Sequence, residues 1–202
     1  MIIRRLGIVD YLPTWQAMQR FTDERDPNTE DEIWVLQHPP VFTLGMAADR
    51  SHVLGAGDIP LVQTDRGGQV TYHGPGQLVM YVLVDLRRCG LGVRDLVMLL
   101  ERAVIDQVAL HGVTAEGRRD APGVYVEGRK LASLGLRVRR GASYHGLALN
   151  VDMDLAPFAR INPCGLVGMQ VTQLRELGVP GSVEEMGERV ASWLAERLKA
   201  PA

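Results

Sequence analysis

Residues 77–85 read Gln-Leu-Val-Met-Tyr-Val-Leu-Val-Asp, and no other stretch limits the fold as strongly. The run is apolar, rich in valine and carries Tyr81 inside it, which is the composition of a β-strand. The apolar residues 78–86 are too few to cross a bilayer, which takes about 20. Soon afterwards Val93, Leu96, Val97, Leu100, Ala103, Val104 and Val108 recur at helical spacing and predict an amphipathic helix over 93–111. The chain must therefore pair at least one sheet with a helical layer.

Further elements follow the same logic. Residues 11–25 predict a helix with Trp15, Met18 and Phe21 or Thr22 on one side. Strands are predicted at 33–37 and 41–44, on either side of His38-Pro39-Pro40, where the second proline forbids a continuous helix. Residues 45–69, rich in Gly, Asp and Pro, read mostly as loop. Strands at 123–127 and 130–139 flank a tight turn at Glu127-Gly128, and 143–151 reads as another strand. A short helix is expected over 168–177. Ser182 with Glu185 forms a capping box for the last helix, whose stripe is Val183, Met186, Val190, Trp193, Leu194 and Leu198. Strands grouped in pairs between helices predict an α+β domain with a mixed, largely antiparallel sheet. All 202 residues form one domain in this reading, with a small C-terminal helical portion from about residue 180.

The formal net charge is −2, so bulk charge gives no argument for a nucleic-acid or membrane partner. The N-terminus lacks the pattern of a secretory signal, and the expected location is the cytoplasm. Cys89 and Cys164 read as free thiols there. The spacings of Cys89, Cys164, His73 and His145 match no zinc pattern, and no metal or cofactor is expected.

Three segments could carry chemistry. In the first, Asp65 to Gln77, four glycines and a proline stand among Arg66, Tyr72 and His73. Glycine there permits close backbone approach to a ligand. The plain alternative is a turn between two strands. No Gly-Lys-Ser/Thr follows, so it is not a phosphate-binding P-loop. In the second, alternation from Lys130 places Ala132, Leu134, Leu136 and Val138 on its own face, so Lys130 is the one charge on an apolar surface. A desolvated lysine can accept a proton near neutral pH. The alternative is an ammonium that snorkels to water. In the third, Asn162-Pro163-Cys164-Gly165, proline and glycine hold a thiol at a bend. A helix from Gly168 would favour its thiolate through the helix dipole. The alternative is a buried structural cysteine. His145 reads as a core histidine, alternating with Leu147, Leu149 and Val151. His73 is the better candidate for a base.

Taken together, these segments resemble the lipoyl(octanoyl) transferases, of the lipoate and biotin protein ligase fold. The matching runs are Arg66-Gly-Gly-Gln-Val-Thr-Tyr-His-Gly-Pro-Gly-Gln77, Gly128-Arg-Lys-Leu-Ala-Ser-Leu-Gly-Leu-Arg137, Tyr144-His-Gly-Leu-Ala-Leu-Asn-Val151 and Asn162-Pro-Cys-Gly165. His38-Pro-Pro-Val-Phe-Thr-Leu-Gly45 matches as well, in the same order and spacing. The resemblance implies that Cys164 is the acyl-thioester nucleophile and Lys130 its proton partner. It implies that Arg66, Gly67, Gly68, Gln69, Val70, Thr71, Tyr72 and His73 line an acyl pocket. Ser133, Leu134, Gly135 and Gly146, Leu147, Ala148 would be its other walls. The implied donor is octanoyl-acyl carrier protein. The implied acceptors are lipoyl domains of 2-oxoacid dehydrogenase acyltransferase subunits and the glycine cleavage H protein, met by a monomer without ATP. The main rival on this fold is an ATP-dependent lipoate or biotin protein ligase, which does not need Cys164. Others are a non-catalytic binding protein and a Cys–His thioesterase.

Overall fold

The computed structural model describes residues 1–198 and, at Cys164, the backbone alone. Residues 199–202 of the expected C-terminal portion lie outside the described residues. The chain opens with β1 (Ile2–Ile8) and α1 (Tyr11–Asp23). The His-Pro-Pro turn separates β2 (Glu32–Gln37) from β3 (Val41–Leu44). Three strands follow: β4 (Leu61–Gln63), β5 (Val70–His73) and β6 (Gln77–Leu83). Helix α2 (Val93–Ala109) leads to β7 (Glu116–Gly117), β8 (Gly123–Val126), β9 (Arg129–Arg139) and β10 (Ala142–Asn150). Helix α3 (Val183–Arg197) comes last, under the Ser182–Glu185 capping box.

Seven strands form the main sheet in the order β1-β2-β6-β10-β9-β8-β7. The β1–β2 pair is parallel and the other pairs are antiparallel. A second sheet, β4-β3-β5, is also mixed. The architecture is the expected α+β fold with a mixed, largely antiparallel main sheet.

Period-two alternation divides the main sheet into two cores. Leu78, Met80 and Val82 point to α2 and α3, meeting Leu96, Leu100 and Val104 with Met186, Val190 and Leu194. Val79, Tyr81 and Leu83 point the other way and meet Met18 of α1. Burying each of these side chains stabilises the fold by roughly 1.5–3 kcal/mol relative to exposure. A third core under the small sheet holds Phe42, Leu44, Tyr72, Phe158 and Ile161. Glu127 and Gly128 both have positive φ, 50° and 77°, as a two-residue hairpin turn requires.

The structure departs from the expectations in several places. No helix forms over 168–177; the segment is a run of turns with one β-bridge, Lys130 to Val171. Its backbone bonds to β9 and to the end of β10 take the place of helical ones. The helix dipole expected beside Cys164 is therefore absent. The glycine-rich segment contains β5, and the expected loop contains β4. Strand β1 was hidden because Arg4 and Arg5 interrupt the alternation of a mostly exposed edge strand.

Candidate active site

A cavity of about 510 Å³ runs across the main sheet, lined by Tyr11, Val79 and Tyr81 on the α1 side and reaching Val93 and Val97 of α2. Its bed crosses the strands. Tyr81, Gly146 and Gly135 form one cross-strand row, and Val79, Ala148, Ser133 and Gly123 form the next. All of these except Gly123 line the cavity. Small residues at the centre keep the bed open. A Cβ on Gly146 would collide with the Met80 carbonyl, and one on Gly135 would lie 3.0 Å from the Gly67 carbonyl oxygen. Leu134, Leu136 and Leu147 also border the cavity, while packing with the α2–α3 core.

Arg66 begins the roof. Its guanidinium donates to the Thr43 carbonyl at 2.7 Å, to Thr43 Oγ1 at 2.9 Å and to the Gly67 carbonyl at 3.0 Å. Gly67 N–H donates across the gap to the Leu136 carbonyl at 2.9 Å. Gly68 takes φ 88°, open only to glycine without strain. Gln69, Val70, Thr71 and His73 continue the wall. Tyr72 does not border the cavity. Alternation along β5 turns it into the third core, with ring centroids 5.4 Å from Phe42 and 5.5 Å from Phe158.

Lys130 is placed by an irregularity. Ala132 pairs with Val124, yet Lys130 pairs with the next residue, Tyr125, so Leu131 is an unmatched bulge residue. Val124, Leu131 and Ala132 face α2 and α3. Lys130 therefore leaves that face, contrary to strict alternation, and shares the opposite one with Tyr125. Its side chain is buried, so the snorkelling alternative fails. Nζ lies 5.2 Å from the Tyr125 ring centroid and donates to the Pro122 carbonyl at 3.3 Å. Pro122 borders the cavity. Nearby, burial raises the Glu101 carboxyl; the Gly123 N–H and the Lys130 charge pull it back.

The cysteine segment is brought to Lys130 by backbone bonds. Pro163–Gly165 is a single 3₁₀ turn, with Gly165 at φ 71°. Asn162 N–H donates to the His52 carbonyl at 2.8 Å before the turn. After it, Lys130 N–H donates to the Gln170 carbonyl at 2.8 Å, and Thr172 N–H donates to the Lys130 carbonyl at 2.9 Å. Leu166, two residues beyond Cys164, borders the cavity.

Four residues that the sequence did not single out complete the site: Tyr11, His38, Asp65 and Tyr81. The Tyr11 ring lies 5.0 Å from His38 and 5.9 Å from His73; His38 lies 5.9 Å from Tyr81. His38 Nδ1 donates to the Val9 carbonyl at 2.6 Å, and Nε2 accepts from Tyr81 Oη at 2.7 Å. Burial lowers His38 to about 4, and burial with the neighbouring His38 lowers His73 to about 3. Both histidines are thus neutral at neutral pH, and the charge at this end of the cavity is the Arg66 guanidinium on Thr43. His73 Nδ1 donates to Gln77 Oε1 at 2.8 Å, Gln77 Nε2 to Asn150 Oδ1 at 3.0 Å and Asn150 Nδ2 to the Thr172 carbonyl at 2.9 Å.

Asp65 holds the loop before Arg66. It accepts from Trp15 Nε1 at 2.8 Å, from Tyr144 Oη and from His145 Nε2 at 3.0 Å. Burial opposes its charge, but these donors hold the carboxyl well below the usual range. Tyr144 and His145 are sequence neighbours on a strand and reach one carboxylate because His145 has φ 62°. That strained conformation turns His145 from the expected core face toward the cavity. Among the described residues, no group of three His, Cys, Asp or Glu could hold a metal.

Residues 10–195 match the lipoyl protein ligase A/B catalytic domain. The chain belongs to that family. An octanoyltransferase of Alkalilimnicola ehrlichii is 64% identical over 97% of this chain and 91% of its own length. One from Pseudomonas fluorescens is 60% identical over 96% and 91%. Among solved structures, the family member is similar to a lipoate-protein ligase A bound with ATP, with TM-score 0.74 and 17% identity over 98% of this chain and 86% of that one. A bi-partite lipoate protein ligase from Thermoplasma acidophilum gives 0.72 and 17%, over 98% and 84%. The biotin protein ligase of Aquifex aeolicus gives 0.57 and 14%, over 98% and 69%. These likenesses establish the lipoate/biotin protein ligase fold.

Proposed function

We propose that this chain transfers an octanoyl group from octanoyl-acyl carrier protein to the target lysine of lipoyl domains, through a thioester on Cys164. The observation that carries this reading is the pairing of the segment after Cys164 along Lys130, at the edge of an apolar cavity. Octanoyltransferase relatives at about 60% identity support the same acyl group and reaction class.

Lys130 takes the proton of the Cys164 thiol, and the thiolate attacks the donor carbonyl carbon. The carbon–sulfur bond to the carrier's pantetheine breaks, and Lys130 returns the proton to the departing thiol. The acceptor amine then attacks the Cys164 thioester and loses a proton to Lys130. That proton goes back to the Cys164 sulfur as the amide forms. Thioester exchange is close to isoenergetic and amide formation runs downhill, so no nucleotide enters. A buried amine at the mouth of a cavity suits this shuttle, and such proton transfer contributes roughly 10²–10⁴ in rate.

The reaction runs in the cytoplasm and on a monomer in this reading. No helix of the described residues is long and apolar enough to cross a membrane. The acceptors are the lipoyl domains of 2-oxoacid dehydrogenase acyltransferase subunits and the glycine cleavage H protein. Intact-mass analysis after mixing with octanoyl-carrier protein should detect one octanoyl adduct, released by hydroxylamine and lost in Cys164→Ala. Undiminished transfer by Cys164→Ala would rule out the covalent route. Transfer from free octanoate that needs ATP would favour the ligase reading that the fold neighbours raise.

A further inference from the structure

We propose that a groove beside α2 binds the phosphopantetheine arm of the acyl donor, with Arg94 and Arg119 holding its phosphodiester. The inference rests on the octanoyl-transfer reading above and adds the part of the donor that lies outside the acyl cavity. The groove, of about 380 Å³, runs between one stripe of α2 and the chain from Gly117 to Pro122. Arg94, Met98, Arg102 and Ile105 make up the stripe, three or four residues apart along the helix. The groove meets the main cavity at Val97 and Pro122, which border both. Pro122 is also the residue whose carbonyl accepts from Lys130 Nζ. An arm lying in the groove delivers its thioester beside Lys130.

The charges along the groove differ in what already holds them. Arg102 pairs with Asp106 at 2.6 Å, and Arg118 pairs with Asp120 at 2.7 Å. Glu101, the carboxylate on the groove wall, accepts from the Gly123 N–H at 3.0 Å. Arg94 and Arg119 are exposed, and neither guanidinium has an ion pair or hydrogen bond among the described residues. They reach the groove from opposite sides, Arg94 from the first turn of α2 and Arg119 from the segment between β7 and β8. An arginine holds a phosphate through parallel charged hydrogen bonds, roughly twice as strong as neutral ones. Val97 and the exposed Met98 offer apolar surface to the methyl and methylene groups of the arm. The lengths agree. From phosphorus to sulfur the arm has roughly 13 bonds and spans about 16 Å at about 1.2 Å per bond. Arg119 stands three residues before Pro122, at most about 11 Å along the chain. The arm therefore reaches from Arg119, past Pro122, to the Lys130 amine.

The test compares octanoyl-phosphopantetheine with octanoyl-pantetheine, which lacks the phosphate, and sets both beside octanoyl-carrier protein. Second-order acylation rates are read by intact mass on the parent and on the double variant Arg94→Gln with Arg119→Gln. The parent should favour the phosphorylated small donor by roughly tenfold or more. In the double variant that ratio should fall to about one, and acylation by octanoyl-carrier protein should slow by a similar factor. A parent that does not distinguish the two small donors overturns the proposal, as does a ratio unchanged in the variant. Equal slowing with both small donors overturns it as well, since the arginines would then only support the fold. Slowing with the carrier protein alone would place them against the carrier's surface and likewise remove the arm from the groove. Absence of an adduct on the parent with every donor, the carrier protein included, would instead defeat the octanoyl-transfer reading, and this inference with it.

Discussion

Lys130 faces Tyr125 across the β8–β9 ladder although Ala132 faces Val124, and the one unmatched residue between them turns the lysine out of the helical core. A regular ladder would have paired Lys130 with Val126 and put the amine beside Val124 and Ala132 on the helix-covered face. The bulge makes a buried amine useful. Lys130→Met keeps most of the apolar stem and removes the proton acceptor. Octanoyl adduct formation should slow by roughly 10²–10⁴. Iodoacetamide labelling of Cys164 should also need a higher pH than in the parent. A labelling profile that did not move would remove Lys130 from thiol activation.

His38 and His73 stay neutral in the folded chain down to about 4 and about 3. In the unfolded chain both take a proton near the usual value of about 6.5. Between those limits the unfolded state binds more protons, so stability falls as pH drops from about 6.5 toward 4. At about pH 5 each histidine costs on the order of 2 kcal/mol. Urea unfolding at neutral pH and at about pH 5 measures this, and equal midpoints would contradict it.

Asp65→Asn keeps the shape of the side chain but removes the charge that gathers Trp15, Tyr144 and His145. Hydrogen bonds to a charged group are worth roughly 1.5–3 kcal/mol each, so a loss of about 2 kcal/mol is expected. Trp15 fluorescence should shift, and acylation should slow because Arg66 follows directly. A variant with parental melting temperature would show that the carboxylate holds nothing.

Gly135→Ala adds one carbon 3.0 Å from the Gly67 carbonyl and 3.3 Å from Arg66 Cδ. The roof must lift or the bed must sink, at a cost of roughly 1–3 kcal/mol. Octanoyl adduct formation should fall while far-ultraviolet circular dichroism stays the same. Parental acylation would mean that this row does not carry the chain.

Much of this was legible in the sequence. Periodicity marked α1, α2 and α3, and valine-rich runs marked β6 and β10, because those elements bury one continuous face. Cavity-lining segments were readable as glycine clusters and as co-linear motifs. What escaped depended on single-residue irregularities. Strict alternation misplaced Lys130 and His145, since neither a bulge at Leu131 nor a positive φ at a histidine is written in local composition. The supposed helix at 168–177 failed because its backbone bonds go to β9 and β10. Tyr11, placed at the start of a helix, gave no sign that it would line a cavity.

The turn that carries Cys164 is fastened on both sides, by Asn162 to His52 and by Gln170 to Lys130. If Cys164 carries the acyl group as proposed, a thiol on so short a tether does not swing between two docking stations. The proposed donor and acceptor proteins should then visit the same place in turn, each leaving before the other arrives. Initial-rate plots should be parallel, and excess donor should compete with the acceptor.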